Sequence, residues 1–193
     1  MNPRRLLEQA LHELGQASCL AHFEHRTDDD EIAAHWELDS QEQLCGEFSV
    51  LGLQRALTEK PHDHPLENEL TPAEHQRWSE LRPFDGHPQG GTGEWVALRV
   101  GASTPELWYY HPETTRENFA GFRLDLDHDQ YLRALAITKG TYGWQTLFCD
   151  TAALDEDDLS YVRPGLEEML ALFPSLFPDH DYGPLRARLA ERS

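Results

Sequence analysis

Short segments of alternating apolar and polar residues dominate the first half of the chain. SCLAHFEH at 18–25 and EIAAHWEL at 31–38 alternate in this way on both sides of an acidic turn, and together they predict a β-hairpin. EWVALRV at 94–100 and ELWYYHP at 106–112 predict a second hairpin. The intervening LCGEFSVLGLQRAL, at 44–57, fits either a helix or an irregular strand, and the pattern leaves both open.

Helical periodicity appears near the N-terminus and again before residue 140. The first of these segments has an apolar face of leucines with Ala10, and Gly15 is expected to end the helix. Farther along, either Asp127 or Asp129 can cap a helix that carries the apolar residues of YLRALAI. Gly140 is expected to end that helix, and the following WQTLFC is interpreted as a strand.

The C-terminal region predicts two further helices. Pro164 is expected to open the first one, because proline suits the first helical position, and Leu166 and Phe173 belong to its apolar face. The second, GPLRARLAER, is short and basic, so we expect most of its surface to be solvated.

The composition changes at residues 59–93, which contain five prolines and the run QGGTG. Inside this stretch, Thr71 and Glu74 form a capping box with Pro72 at the first helical position, which predicts a short helix. The rest of the stretch is interpreted as a Pro/Gly-rich surface excursion. Residues 1–193 are therefore predicted to form a single α+β domain, with a mostly antiparallel sheet and flanking helices.

The charge of the chain is strongly negative. Its 35 acidic residues outnumber its 16 lysines and arginines, which gives a formal net charge of −19. A field of this sign repels nucleic acids and anionic membranes, and it speeds the approach of basic partners. Solubility alone is the other explanation of such a charge, and the totals do not distinguish the two.

Two segments concentrate the acidic residues. Residues 24–47 and 150–181 each contain nine acids and a single arginine. Dense acidic blocks are usually solvated, but with aromatic rings beside them they also suit the docking of an Arg- or Lys-rich protein. We therefore assign an acidic partner-binding face to Asp28, Asp29, Asp30, Glu31, Trp36, Asp155, Glu156, Asp157 and Asp158.

The sequence lacks the common catalytic motifs G-x-S-x-G, G-x-G-x-x-G, H-E-x-x-H and the Walker loop. In PHDHP, His62 and His64 have a spacing that can ligate zinc, but a closed site needs about four ligands and a solvated turn is the ordinary interpretation. Cys149 is expected to be a small buried hydrophobe. We predict no enzymatic activity and no cofactor, and a metal-dependent hydrolase that uses His62 and His64 is the alternative.

Targeting and membrane segments are not evident. The N-terminal helix is interrupted by Glu8 and Glu13 and does not have the pattern of a signal peptide, and no stretch approaches 18 apolar residues. A cytoplasmic protein with no membrane or nucleic-acid partner is expected.

The segment DQYLRALAITKGTYGWQTLFCD, at 129–150, resembles a recurring helix-to-strand segment of the SUKH superfamily. This superfamily includes yeast cell-wall-synthesis regulators and bacterial immunity proteins that neutralise polymorphic toxins. The resemblance covers the second half of the chain. The matching positions are Tyr131, Leu132, Leu135, Lys139, Gly140, Tyr142, Gly143, Trp144, Gln145 and Phe148. The resemblance implies that Tyr131, Gly140, Tyr142, Gly143 and Trp144 are a structural signature without a catalytic role.

The resemblance and the net charge lead to one functional expectation. The protein is expected to be a non-catalytic, SUKH-like immunity protein whose acidic face masks a basic toxin. Its acids would pair with toxin Lys and Arg that otherwise hold substrate phosphates. The alternative within the same fold is a housekeeping regulatory or interaction protein that has no toxin as its partner.

Overall fold

Two antiparallel sheets and the helices around them make up the protein. The computed structural model describes residues 3–39, 44–61, 70–112, 121–150 and 156–192. The first sheet contains β1 (Leu20–Thr27), β2 (Glu31–Leu38) and β3 (Cys45–Leu51), in that order. The second contains β4 (Leu81–Gly86), β5 (Trp95–Arg99), β6 (Glu106–Tyr110) and β7 (Phe122–Leu124), also in chain order. The expected α+β class with antiparallel pairing is confirmed.

The helices enclose one continuous apolar core together with the sheets. They are α1 (Pro3–Gln16), α2 (Leu53–Ala56), α3 (Pro72–Glu80), α4 (His128–Thr138), α5 (Glu156–Leu176) and α6 (Gly183–Ala190), with a 3-10 helix at Trp144–Phe148. No helix in the described ranges is long and apolar enough to cross a membrane.

Both predicted hairpins are confirmed. β1 pairs with β2 and β5 pairs with β6, each in antiparallel register. The undecided segment at 44–57 contains both alternatives, since β3 is followed by the single helical turn of α2. Phe48 and Val50 alternate into the core along β3, and Gly52 then separates the strand from the helix.

The predicted surface excursion at 59–93 needs correction for residues 81–86. These residues form β4, which pairs with β5, and Leu81 and Phe84 belong to the buried interior. The proline-rich composition misled the prediction because Pro83 lies on a sheet edge, where a missing backbone N–H removes no ladder hydrogen bond. The capping box of α3 is confirmed, with the Thr71 side chain accepting from the Glu74 backbone N–H and Glu74 accepting from the Thr71 N–H.

The strand predicted for WQTLFC is wrong, because residues 144–148 form a 3-10 helix. All five side chains of this helix are buried, whereas a strand would turn every second one to the opposite face. Gly143, with φ of 76°, sets the entry into the helix, and its carbonyl accepts from the Thr146 N–H at 3.0 Å. The expectation that Cys149 is buried is confirmed.

The prediction that Pro164 opens a helix is also wrong, because α5 already begins at Glu156. Pro164 lies inside α5, on its exposed side, where water can replace the hydrogen bond that the proline ring removes. The expectation that most of the α6 surface is solvated is confirmed, and its inner side is apolar. Leu185 and Leu189 are buried there, and Arg192 just beyond α6 is also buried.

The two sheets meet at β3 and β4 without a shared backbone ladder. The Ser49 N–H donates to the Oδ1 atom of Asp85 at 2.9 Å, so a side chain takes the place of a ladder acceptor. The register of β4 against β5 shifts between Pro83 and Asp85, and this irregularity turns the Asp85 carboxylate toward β3. Between the described residues of β3 and β4, no backbone-to-backbone hydrogen bond is formed.

The stretch from Tyr131 to Trp144 forms a packed corner between α4 and the 3-10 helix. Tyr131 and Trp144 are fully buried, and their ring centroids lie 4.9 Å apart. The chain reverses through two successive left-handed residues, Lys139 with φ of 56° and Gly140 with φ of 72°. α4 therefore ends one residue earlier than expected, because Lys139 and not Gly140 is its C-cap.

Candidate functional site

The acidic turn between β1 and β2 is exposed at Asp28, Asp29 and Asp30. Arg4 of α1 fixes the backbone of the turn. Its guanidinium donates to the carbonyl oxygens of Asp28 at 2.9 Å and Asp29 at 3.2 Å. The Asp28 carboxylate accepts the Asp30 N–H at 2.9 Å, which closes the turn locally. The carboxylates of Asp29 and Asp30 are then left on the solvent side of a fixed backbone.

Glu31 and Trp36, which the sequence assigned to the same acidic face, are buried and do not belong to the exposed surface. The Glu31 carboxylate accepts from the Ser49 hydroxyl at 2.7 Å and pairs with the guanidinium groups of Arg26 and Arg55. Trp36 has no exposed area, and its indole N–H donates to the Lys139 carbonyl at 2.6 Å. Trp36 faces inward because it shares the parity of the core positions Ile32 and Ala34, whereas Glu31 has the opposite parity and is buried by its polar partners.

The second predicted acidic segment lies at the start of α5. Asp155 lies outside the described residues, and the backbone at 156–158 forms the first turn of α5. Tyr161, in the next turn, is 76% exposed. The structure therefore places the two acidic segments on different elements.

An apolar groove of about 390 Å³ lies directly beside the acidic turn. Asp29 and Asp30 form one rim, and the buried Ile32 and Leu132 contribute to the floor. Leu53 of α2 also lines the groove and is 50% exposed. This arrangement combines exposed carboxylates with accessible apolar surface, and we call it the acidic groove.

A second cleft, of about 460 Å³, lies at the ends of β4 and β5 and was not predicted from the sequence. Three rings line it on one side, namely those of Trp78, Trp95 and Tyr110. Trp95 and Tyr110 stack with centroids 5.1 Å apart, and Trp78 presents its edge to both of them. Two buried carboxylates, those of Asp85 and Glu94, also line the cleft. We call it the aromatic cleft.

Three donors that fix the fold engage the Asp85 carboxylate. Its Oδ1 atom accepts the N–H groups of Ser49 and Gly86, each at 2.9 Å, and its Oδ2 atom accepts the Tyr131 hydroxyl at 2.6 Å. Burial raises the pKa of Asp85 to about 6, and these hydrogen bonds oppose the rise. Asp85 is therefore a structural carboxylate that joins β3, β4 and α4.

Glu94 is held less completely. Its Oε2 atom accepts the Tyr109 hydroxyl at 2.7 Å, while Oε1 lies 3.6 Å from Nε2 of His111, which is beyond hydrogen-bond distance. His87 also faces this carboxylate, with Nδ1 at 3.8 Å from Oε2. Burial raises the pKa of Glu94 to about 7. The carboxylate therefore changes its protonation state near neutral pH.

His87 is buried and neutral at physiological pH. Its Nδ1 atom lies 2.9 Å from the Thr92 hydroxyl, and burial lowers the pKa of the ring to about 3. The loop after His87 is fixed by Glu47, whose carboxylate accepts the N–H groups of Gln89 and Gly90 at 2.6 Å each. His87 therefore adds no positive charge beside Glu94, and hydrogen bonds to Glu47 hold the loop that follows it.

The signal for this cleft is present in the sequence but easily missed. Glu94 precedes Val96 and Leu98 by two and four positions, so it has the parity of the apolar face of β5. An acid on the apolar parity of a strand indicates a buried carboxylate. Asp85 gives no such signal, because the register shift in β4 lets both Phe84 and Asp85 face inward.

The metal hypothesis concerned His62 and His64, which lie outside the described residues. Within the ranges that the structure covers, no group of three or more His, Cys, Asp or Glu is placed to hold a metal ion. Comparison with family models, with curated proteins and with solved structures found no match to this chain.

Proposed function

We propose that this protein is a non-catalytic binding protein whose acidic groove engages a basic protein partner. The observation that carries the proposal is the position of the exposed Asp29 and Asp30 on the rim of an apolar groove. Charge complementarity selects a partner segment that is rich in Lys and Arg, and the apolar floor accommodates the stems of those side chains.

The surface around the groove supports protein recognition more than recognition of a small ion. Leu53 of α2 and Leu57, which caps its end, are 50% and 48% exposed, and they are spaced four residues apart on one helical face. Burial of the exposed half of each leucine stabilises an interface by roughly 1 kcal/mol. The carboxylates add speed and specificity of association, and the leucines add affinity.

The finer proposal is that the partner is a toxin and that the protein acts as a SUKH-like immunity protein in the cytoplasm. Its support is the resemblance of residues 129–150 to the SUKH superfamily, together with the net charge of −19. On this proposal the protein works by occlusion, covering the basic residues with which the toxin would hold a phosphate-containing substrate.

The test begins with capture of partners from the source cells at low salt, followed by purification of the captured polypeptide. Its affinity is then measured for the wild type, for the triple variant Asp28→Asn, Asp29→Asn, Asp30→Asn, and for a matched triple variant elsewhere. Glu167→Gln, Asp179→Asn and Glu191→Gln provide that control, because these three acids are also exposed and the net charge changes equally.

The proposal predicts a basic polypeptide whose binding weakens with rising salt and with loss of the turn carboxylates, and much less with the control triple. Equal effects of the two triples, or binding indifferent to salt, would contradict the acidic groove as the site. Expression of the captured polypeptide alone and with this protein tests the immunity role. A partner that is harmless on its own favours the housekeeping alternative.

A further inference from the structure

We propose that the outer edge of β1 pairs with the same edge of a second copy of this chain, so that two three-stranded sheets join across a two-fold axis. β1 (Leu20–Thr27) is the end strand of its sheet, and among the described residues it pairs with β2 alone. Its last four residues, 24–27, are all exposed. An exposed strand edge presents backbone N–H and C=O groups to which a further strand can bond.

The hairpin register shows which backbone groups are available at this edge. Beside the turn, the Asp28 N–H donates to the Glu31 carbonyl at 3.0 Å. Hydrogen-bonded and non-bonded pairs alternate along an antiparallel ladder, and the alternation starts from this pair. The N–H and C=O groups of Phe23, His25 and Thr27 therefore point away from β2. They are the groups that an added strand would bond.

A groove of about 410 Å³ lies beside the same edge, between β1 and α1. Phe23, His25 and Thr27 line one side of it, and the buried Leu11 of α1 contributes to the other. A Cβ added at Gly15 of α1 would lie 3.5 Å from the Phe23 ring, so α1 covers this face of the strand. Every second side chain of an added strand would lie over this groove. The acidic groove shares no lining residue with it, so this inference does not depend on the partner proposed above.

One symmetric register brings complementary groups together along the two edges. When His25 lies opposite His25 of the second copy, Phe23 lies opposite Thr27, and each of these pairs exchanges two backbone hydrogen bonds. An aromatic and a β-branched side chain form a favourable cross-strand pair. On the other face of the strand, Glu24 then lies opposite Arg26, and each of these side chains is 63% exposed in the single chain. The carboxylate of one copy therefore meets the guanidinium of the other.

Other symmetric registers lack this match. In the register centred on residue 25, His22 also lies opposite Asp28 of the second copy. A register centred two residues closer to the turn would place Glu24 opposite Asp30, and like charges directly opposite each other destabilise a pair of strands. A register centred two residues earlier would extend into the irregularity between Leu20 and His22, where the edge is no longer regular.

The charge of β1 favours a second copy as the occupant. The strand contains one acid and one arginine, so its formal net charge is zero, in contrast to −19 for the whole chain. The acid and the arginine lie on either side of His25, and an antiparallel copy of the same strand complements this order. At about 0.15 M salt, exposed acids elsewhere on the two copies are screened beyond about 8 Å.

Light scattering of the wild type, from micromolar to millimolar concentration at about 0.15 M salt, tests the inference without any variant. The expected result is a mass that rises with concentration to that of two chains. A wild type that stays monomeric throughout this range would overturn the proposal. A monomer whose captured partner is lost on His25→Pro would assign the edge to that partner, and it would also overturn self-pairing.

The variant His25→Pro tests whether the backbone of this edge forms the dimer. Because the His25 N–H points away from β2, proline removes no hydrogen bond of the hairpin, but it removes both central bonds across the two-fold axis. It is expected to weaken dimerisation by about tenfold or more, whereas the control His25→Ala keeps the N–H and stays within about threefold. Equal dimerisation of a folded His25→Pro protein would exclude this edge.

Disulfide trapping tests the register and does not need the proline variant to fold. In a background with Cys19→Ser and Cys45→Ser, oxidation of a mixture of Glu24→Cys and Arg26→Cys proteins is expected to give a linked heterodimer, because these positions lie opposite each other. The control mixture of Glu24→Cys and Thr27→Cys proteins places the thiols on opposite faces and should stay unlinked. Equal linking in both mixtures would overturn the register.

Discussion

The Nζ atom of Lys139 lies 2.6 Å from Oε2 of Glu13, which joins the end of α4 to α1 across 126 positions of the chain. His180, after α5, approaches the same Glu13 oxygen at 2.8 Å. Burial lowers the pKa of Lys139, and its hydrogen bond to Glu13 opposes that shift. For Glu13, burial raises the pKa, but the hydrogen bonds with Lys139 and His180 outweigh burial, so its pKa is lowered.

Removing one member of this pair is expected to cost more than removing both. Glu13→Gln leaves the fully buried Lys139 ammonium without its counter-ion and is expected to lower the free energy of unfolding by about 3–5 kcal/mol. Adding Lys139→Met to Glu13→Gln should recover part of this loss. Urea melts measure both effects, with exposed Glu8→Gln in α1 as the control. A loss below about 0.5 kcal/mol for Glu13→Gln would show that the pair is dispensable.

The Trp144 ring is a major contributor to the packed corner. It has no exposed area and lies against Tyr131 and Phe148, so Trp144→Ala is expected to cost about 3–5 kcal/mol of stability. Tyr161→Ala provides a matched aromatic truncation at a position that is 76% exposed, and it should change the urea midpoint little. Equal midpoints for the two variants would refute a core role for Trp144.

Gly140 is expected to tolerate no side chain. Its φ is 72°, and an added Cβ would lie 2.6 Å from the Glu47 carbonyl oxygen of β3. Gly91 has a similar φ of 63° but open space around it. Gly91→Ala should therefore cost about 1–2 kcal/mol for the left-handed backbone alone, and Gly140→Ala should cost clearly more because of the added clash. Thermal melts compare them, and similar losses would mean that β3 can move away.

Glu94 should make the protein less stable as the pH rises toward neutrality. Between its ordinary pKa of 4.5 and its folded pKa of about 7, the folded protein keeps a proton that the unfolded chain has lost. The stability that this protonated carboxyl contributes is present below pH 4.5 and is lost as the pH rises through 7. Glu94→Gln is therefore expected to gain stability relative to the wild type across this window, and a constant difference from pH 4 to 8 would contradict the assignment.

His87 should have the opposite effect on the acid side. Burial lowers its pKa from 6.5 to about 3, so the unfolded chain binds a proton that the folded protein excludes. Its contribution to stability is present above pH 6.5 and is lost as the pH falls toward 3. His87→Gln should show a shallower acid decline in urea melts than the wild type, whatever its stability at pH 7. An identical slope would show that the ring is protonated in the fold.

Most helices and strands could be predicted because their sequence signals lie within the element or its adjoining turn. The two hairpins follow from alternation around short turns, and the start of α3 follows from the capping box at Thr71. The 3-10 helix after Gly143 depends on tertiary packing, since all five of its side chains are buried, and in the early part of α5 Val162 lies against Gly143. Sequence alone cannot supply those neighbours.

The candidate sites show the same division. The exposed turn at Asp28–Asp30 was correctly located, because three successive acids between two alternating segments favour a solvated turn. Glu31 was assigned to the wrong environment, since its buried pairing with Arg55 depends on where α2 packs. The aromatic cleft brings Trp78 of α3 beside residues of the second sheet. Neither periodicity nor composition predicts that α3 packs against those strands.

Because no backbone hydrogen bonds join the described strands β3 and β4, the boundary between the two sheets is the place where the fold can open most easily. β1–β3 and β4–β7 each keep all of their internal strand pairing if the two sheets separate there. The polar links that would break include the Ser49 hydrogen bond to Asp85 and those from the Gln89 and Gly90 N–H groups to Glu47. Amide exchange of Ser49 is therefore expected to be faster than that of residues inside either sheet. Because Ser49 and Asp85 both line the aromatic cleft, partial separation of the sheets would also widen that cleft.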